Sequence, residues 1–363
     1  MPKEKVLIVD DDKLICWSLE KALKSKGYEV TSVHLGQEAL DCIAKEPFDI
    51  LLLDLMLPDL SGFQVLEHLN ENRIQLPVLV ITAHGAVDSA VRAMKLGAYD
   101  YLCKPFNIEE VKLAVQKALE VSLLRREIDY RRSRERHTNS FDSIVGSHST
   151  MKEVLWLAQR VAASDASTVL VQGESGTGKD LLARAIHYQS ARGHGPLVEI
   201  SCSATSETLL ESELFGHERG AFTDAKNMKR GLFEIAEGGT VLLEEVGDMS
   251  QPMQAKLLKV LEDRRFRRVG GVKDIHVDVR VVATTNRDLE TAVQNGIFRL
   301  DLFYRLQVVT ITLPALRERR EDILPLTNHF IKQFNRQFRR NMKGVSKAAQ
   351  ELLLNYDWPG NVR

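Results

Sequence analysis

The chain has 363 residues, 44% of them hydrophobic and 27% charged, with a net charge of −1. That is length for two or three globular domains, and it gives no global charge argument for nucleic-acid binding. No apolar run approaches the roughly 18–20 residues of a membrane span, Met1-Pro2-Lys3-Glu4-Lys5 lacks the apolar core of a signal peptide, and Cys16, Cys42, Cys103 and Cys202 show neither disulfide nor zinc spacing; a cytoplasmic protein with no membrane partner is expected.

Short apolar runs at Val6 to Val9, Tyr28 to Val33, Ile50 to Leu53, Val78 to Ile81 and Tyr99 to Cys103 alternate with helix-length amphipathic segments. This is the pattern of a parallel α/β sheet with helices on both faces, whose functional groups gather at the carboxyl ends of the strands. Asp10 and Asp11 end the first strand, Asp54 the third, Thr82 the fourth, and Lys104, followed by Pro105, the fifth. Three carboxylates on one edge repel one another unless a divalent cation lies among them. Asp12 reads either as a carboxylate supporting that group or as a solvated one.

Over residues 1 to about 120 this constellation resembles the receiver domain of two-component response regulators, which implies a flavodoxin-like fold. The resemblance implies that Asp54 accepts a phosphoryl group from a sensor histidine kinase, that Asp10, Asp11 and Asp54 hold Mg²⁺, and that Thr82 and Tyr101 form a switch beside Lys104. The chemistry fits: a carboxylate nucleophile attacking a phosphoryl group needs the developing charge neutralised, by metal and ammonium.

Asn107 and Glu110 make a capping-box pattern at the start of a helix through Val111, Val115, Ala118 and Leu119. Apolar residues continue at Leu123, Leu124 and Ile128 before Tyr130 to Arg136 turns polar and basic. Residues 121–140 are therefore expected to be a helical linker, either paired with its copy as a coiled coil in a dimer or simply solvated.

From Phe141 the alternation resumes, with strands expected at Thr168 to Gln172, Val198 to Ser201, Thr240 to Leu243, Val277 to Ala283 and Val308 to Leu313. The first leads into Gly173-Glu174-Ser175-Gly176-Thr177-Gly178-Lys179-Asp180 and then the helical spacing of Leu181 to Ile186. Strand, glycine loop and helix together make a phosphate cradle: the glycines let backbone N–H groups converge, the helix presents its positive end, and Lys179 reaches the outer phosphates. The third strand ends in Glu244-Glu245, an acidic pair suited to orienting the water shell of Mg²⁺ (Glu244) and polarising the water that attacks a γ-phosphate (Glu245).

Four stretches carry a second resemblance: Gly173 to Asp180, Glu213 to Ala225, Phe298 to Leu306 and Trp358 to Arg363. They resemble the AAA+ domain of sigma-54-dependent transcription activators, and with the receiver in front the order is similar to response regulators of the nitrogen-regulatory-protein-C type. The resemblance implies ATP and Mg²⁺ as cofactors, Glu245 as the catalytic residue that activates water, Thr285 and Asn286 as a first sensor, and Arg363 as a second sensor in a helical lid. It implies that Arg299 and Arg305 are arginine fingers offered to a neighbouring subunit of a ring, and that Gly220, Ala221, Phe222, Thr223, Asp224 and Ala225 form a loop that contacts sigma-54 RNA polymerase. The expected organisation is a receiver at 1–120, the linker at 121–140, an ATPase core at 141–313 and a lid at 314–363.

Four positions depart from the family pattern. Asp180 stands where most P-loops carry Ser or Thr, Glu244 replaces Asp, Ser201 replaces an Asn that restrains the catalytic Glu, and Asp224 replaces a loop glycine. The helix-turn-helix usual after the lid is absent from this sequence, so DNA is expected as a partner only indirectly or through a further domain. The function expected is a phosphorylation-controlled AAA+ ATPase that remodels sigma-54 RNA polymerase. A phosphorylation-dependent ATP-binding regulator with weak hydrolysis, or a remodeller of another protein, are the rivals.

Overall fold

The computed structural model describes residues 4–72, 74–83, 87–203, 207–222 and 225–363, with the backbone alone at 83, 87, 124–133 and 137. Thr223 and Asp224, two of the expected sigma-54 contacts, lie outside the described residues. The chain divides into two compact units, Met1–Arg131 and Arg132–Arg363. Among the described residues no helix is long and apolar enough to cross a membrane.

In the first unit, strands β1 (Lys5–Val9), β2 (Glu29–Val33), β3 (Ile50–Asp54), β4 (Val78–Ala83) and β5 (Asp100–Lys104) alternate with helices α1 (Lys13–Lys24), α2 (Gly36–Lys45), α3 (Gly62–Glu71), α4 (Val87–Lys95) and α5 (Ile108–Thr138). The sheet is parallel throughout, in the order β2-β1-β3-β4-β5. Its central strands β1, β3 and β4 are apolar runs because both faces are covered, whereas the edge strands β2 and β5 carry polar and exposed residues. Val6, Ile8, Leu52 and Ile81 pack with Leu19, Leu23 and Val115 on one side, while Leu7, Leu51, Leu53 and Val80 pack with Ala39, Val65 and Leu66 on the other. The strand order reverses between β1 and β3, which opens a crevice at their carboxyl ends. Gly62 keeps the start of α3 against β3, since a Cβ there would lie 2.4 Å from the Asp54 carbonyl oxygen.

Helix α5 is continuous for 31 residues. Val111, Val115, Ala118 and Leu119 belong to the core of the first unit, and near its other end the Glu135 carboxylate accepts a 2.9 Å hydrogen bond from the Tyr188 hydroxyl within the second unit. The stripe expected to pair in a coiled coil falls largely on 124–133, whose side chains lie outside the described residues.

The second unit runs α6 (Ser149–Ala162), β6 (Thr168–Gln172), α7 (Lys179–Tyr188), β7 (Leu197–Ser201), α8 (Glu207–Phe215), β8 (Gly216–His217), β9 (Lys229–Arg230), α9 (Leu232–Ile235), β10 (Thr240–Glu244) and α10 (Gln251–Asp263). It continues with β11 (Arg265–Phe266), β12 (Ile275–His276), β13 (Arg280–Thr285), α11 (Leu289–Gln294), α12 (Leu300–Leu306), β14 (Thr310–Thr312), α13 (Ile323–Phe338) and α14 (Lys347–Asn355). Five strands form a parallel sheet in the order β14-β6-β13-β10-β7. Strand β13 thus lies between β6, which feeds the glycine loop, and β10, which feeds the acidic pair. It begins at Arg280 rather than Val277, because the residues just before pair antiparallel in the β11–β12 hairpin and Val277 N–H closes that hairpin on the Arg264 carbonyl at 2.9 Å.

Helix α7 carries His187 into the core, where it is fully buried with Nδ1 2.8 Å from Thr240 Oγ1. Burial, helped by the positive charge of Arg280, pushes the imidazole down to about 4. Unfolding restores an ordinary affinity for the proton, so this contribution to stability is complete above about pH 6.5 and is lost as pH falls from there towards about 4. Urea denaturation of the second unit is expected to show a loss of about 2–3 kcal/mol between pH 7.5 and pH 4.5 from this group, and His187→Gln is expected to remove most of that slope.

Candidate phosphoacceptor and nucleotide sites

At the carboxyl edge of the first sheet, Asp10 is fully buried and Asp54 is 4% exposed. Lys104 Nζ lies 2.7 Å from Asp10 Oδ2 and also pairs with Asp54. Burial raises the Asp10 carboxyl above the usual range, and the Lys104 ammonium and the Asp12 N–H offset this only in part. Burial alone would lower the Lys104 ammonium, but its bonds to Asp10 and Asp54 outweigh it and the net shift is upward. One carboxylate oxygen from each of Asp10, Asp11 and Asp54 lies within 4.8 Å of the others, and such a set of hard oxygen donors fits Mg²⁺.

Asp12 has a different job. Its carboxylate caps α1 by accepting the N–H groups of Leu14 at 2.8 Å and Ile15 at 3.3 Å, while its own N–H donates to Asp10 Oδ1 at 2.9 Å. Thr82 is buried at the end of β4, in register with Cys103, and Tyr101 is on the neighbouring strand, 43% exposed. Tyr101 borders a cleft of about 350 Å³ against Ala90, Val91 and Met94 of α4.

In the second unit, the loop from Gly173 to Asp180 turns through φ values of 151° at Gly173, 82° at Gly176 and 104° at Gly178, a region that side chains with a Cβ rarely enter. Lys179 is buried and its ammonium donates to the carbonyls of Gly173 at 3.0 Å and Glu174 at 3.3 Å, with Glu245 Oε1 3.7 Å away. Lys179, Asp180, Arg184, Glu245 and Arg363 line a cavity of about 370 Å³ beside the loop.

Glu245 has a left-handed backbone, φ 53°, and its Oε2 accepts the Asn286 N–H at 3.0 Å. Burial raises the Glu244 carboxyl, and the Asp180 carboxylate raises it further. Ser201 Oγ lies 3.2 Å from Ser203 Oγ, while the Glu245 carboxylate is approached by Lys179 and by the segment after β13. Thr285 ties that segment to the glycine loop, its carbonyl accepting the Gly173 N–H at 3.2 Å.

Arg299 precedes α12 and pairs with Asp301 at 2.7 Å. Arg305 donates to the Leu261 carbonyl at 2.9 and 3.1 Å. Both side chains are exposed, and neither lines the cavity of its own chain. The segment from Gly220 to Ala225 closes on itself through the Gly220 N–H and the Ala225 carbonyl at 2.8 Å, and the half-buried Phe222 sets its ring edge-on to His217 at 4.9 Å.

Several buried or part-buried contacts beside these sites carry no signal in the sequence pattern. Arg268 holds the base of the Gly220 loop, donating to Glu218 at 2.8 Å and to Glu234 at 2.6 and 2.8 Å. Arg319, 2% exposed, donates to the Thr177 carbonyl at 3.0 Å, and the fully buried Asp322 accepts the Ser147 and His148 N–H groups at 2.5 and 2.9 Å. Both belong to the charge-dense run Arg317 to Asp322, whose only sequence signal was its place after the last strand.

Comparison with known proteins accords with this geometry. The family profile "Response regulator receiver domain" matches residues 6–116, "Sigma-54 interaction domain" matches 144–312, and "AAA+ ATPase lid domain" matches 317–363. Regulatory protein AtoC of Escherichia coli (strain K12) is 43% identical over 359 residues, covering 99% of this chain and 78% of that protein. DNA-binding transcriptional regulator NtrC of Klebsiella pneumoniae is 42% identical over 360 residues, covering 98% and 75%. A crystal structure of NtrX from Brucella abortus in complex with ATP superposes with a TM-score of 0.68 at 36% identity, covering all of this chain and 78% of that one.

The fold and sites define a receiver domain joined to an AAA+ α/β domain with a helical lid. The chain belongs to the family of sigma-54-activating response regulators that includes NtrC, AtoC and ZraR. Its receiver implies phosphorylation by a kinase, and its second unit implies nucleotide binding and a sigma-54 partner.

A Cβ at Gly176 would lie 2.2 Å from the Gly360 carbonyl oxygen, at a φ of 82°. Gly176→Ala is therefore expected to cost about 2–4 kcal/mol, read as a lowered calorimetric transition of the nucleotide-free second unit.

Proposed function

We propose that phosphorylation of Asp54 controls ATP hydrolysis by the second unit in a ring of subunits, and that the ring uses the Gly220 to Ala225 loop to remodel sigma-54 RNA polymerase. The observation that carries this reading is the cavity of about 370 Å³ at which Lys179, Asp180, Glu245 and Arg363 converge. In it, the loop N–H groups and Lys179 bind the β- and γ-phosphates, Glu245 takes a proton from the attacking water, and Asn286 reports the state of Glu245. Asp180 and Glu244 would hold Mg²⁺ through its water shell, and Mg²⁺ supplies neutralisation of the phosphate charge. Because Arg299 and Arg305 are exposed and outside their own cavity, they serve the nucleotide of the adjacent subunit.

In the receiver, Asp10 and Asp11 join Asp54 in holding Mg²⁺, Lys104 neutralises the phosphoryl oxygens, and Thr82 and Tyr101 carry the change away from the site. Residues 1–120 act as phosphoacceptor domain, 121–140 as linker, 141–313 as ATPase core and 314–363 as lid. Phe222 anchors the sigma-54 contact, an aromatic giving large contact area at small entropy cost.

The test is ATP turnover measured against protein concentration, with and without acetyl phosphate. Specific activity is expected to rise with concentration, and Asp54→Asn to abolish the response to acetyl phosphate. Glu245→Gln and Arg305→Ala should each lower turnover by about 10³-fold. Mixing the two inactive variants should restore part of the activity, because some interfaces then pair an intact Glu245 with an intact Arg305. A mixture as inactive as its components would sink the shared-site reading, and turnover independent of concentration would sink the ring.

A further inference from the structure

Glu174 sits inside an anion-binding loop, where a negative charge opposes phosphate binding unless it is otherwise engaged. It does not line the phosphate cavity. Its carboxylate instead accepts both terminal N–H groups of Arg317, at 2.9 and 2.5 Å, and the Asn361 side-chain amide at 3.1 Å. These partners hold its carboxyl down to about 2, so the pair stays charged at any pH above about 4.5.

The turn that ends in Arg363 needs such holding. Trp358 and Asn361 both have left-handed backbones, φ 49° and 53°, a conformation unfavourable to residues other than glycine and tolerated best by Asn. Asn361 is 3% exposed. Its Oδ1 accepts the Leu316 N–H at 2.8 Å, and its Nδ2 donates to the Ser175 carbonyl at 3.0 Å as well as to Glu174. The next residue, Val362, donates its N–H to the Gly176 carbonyl at 2.9 Å. The strained turn is thus docked on the glycine loop along three consecutive loop residues, of which Glu174 supplies a charged anchor.

We propose that Glu174 is a positioning residue: by latching Arg317 and Asn361 it seats the turn from Trp358 to Arg363 and so fixes Arg363 at the phosphate cavity. The proposal rests on the reading of that cavity as an ATP site. Opening of the lid must break this latch, so the loop that binds phosphate also sets how firmly the lid is closed.

Two measurements on the full chain test it, the first without nucleotide. Hydrogen exchange at the Val362 amide is expected to be at least about tenfold faster in Glu174→Ala than in the parent, with Glu174→Gln between them. Unchanged exchange at Val362 overturns the latch, whether or not the protein hydrolyses ATP. In steady-state kinetics, Glu174→Ala is expected to lower kcat about tenfold with KM for ATP changed less than about threefold. The double variant Glu174→Ala/Arg363→Ala should be no slower than Arg363→Ala alone, since Glu174 acts through Arg363. Additive losses overturn the positioning role. Arg317→Gln gives the same readings from the lid side should Glu174→Ala fail to fold. Absence of ATP turnover in the parent chain would refute the ATPase reading and leave the exchange result to judge the latch.

Discussion

In each unit a single lysine ammonium, placed at the carboxyl edge of a parallel sheet, holds together groups that would otherwise drive one another apart. Lys104 lies between Asp10 and Asp54, and without it two carboxylates, one of them fully buried, would share an apolar edge. Lys179 folds back on the carbonyls of its own loop with Glu245 at 3.7 Å. Desolvated charge of this kind is tolerated only when paired. The pairing has a structural consequence: both ammonium groups are held in place at the strand ends by several oxygen atoms at once.

The topology explains why those groups meet. In the first sheet the strand order reverses between β1, which Asp10 follows, and β3, which ends in Asp54, and the crevice at that reversal is bordered by two strand ends without a crossover between them. In the second sheet, β6, β13 and β10 are neighbours, so the glycine loop, Thr285 and the acidic pair emerge side by side although they are far apart in the chain. The helices contribute by burying the sheet faces, and Gly62 and Gly176 mark where backbone approaches backbone too closely for a Cβ.

Much of this was legible in the sequence, and the exceptions share a cause. The central strands of the two parallel sheets are the most legible because both faces are buried, which leaves unbroken apolar runs such as Ile50 to Leu53. The β11–β12 hairpin did not, since strands of two residues carry no period, and Val277 was read into the following strand. Of three consecutive aspartates the sequence left Asp12 without a single reading: the backbone N–H groups of Leu14 and Ile15 assign it to the cap of α1. Arg319 and Asp322 lie in a run that composition would assign to solvent, yet they are among the most buried charges of the chain. Asn361 has its role through a left-handed backbone that no periodicity reveals. Burial of polar groups and special backbone conformations depend on distant segments, and a local reading has no access to them.

The central place of β13 has one more implication. Strand β13 pairs with β6 as far as Thr285 and Gln172, and neighbouring strands are about 4.8 Å apart and bonded along their length, so the end of β13 cannot shift against β6 without breaking that ladder. A displacement at Asn286 is therefore passed along the chain that follows it, through α11 and into α12. That same stretch, residues 286–305, ends in Arg299 and Arg305. Asn286, whose N–H donates to Glu245, and the exposed Arg299 and Arg305 are thus joined by one short length of chain, so a displacement at the acidic pair reaches both arginines through chain connectivity rather than across the sheet.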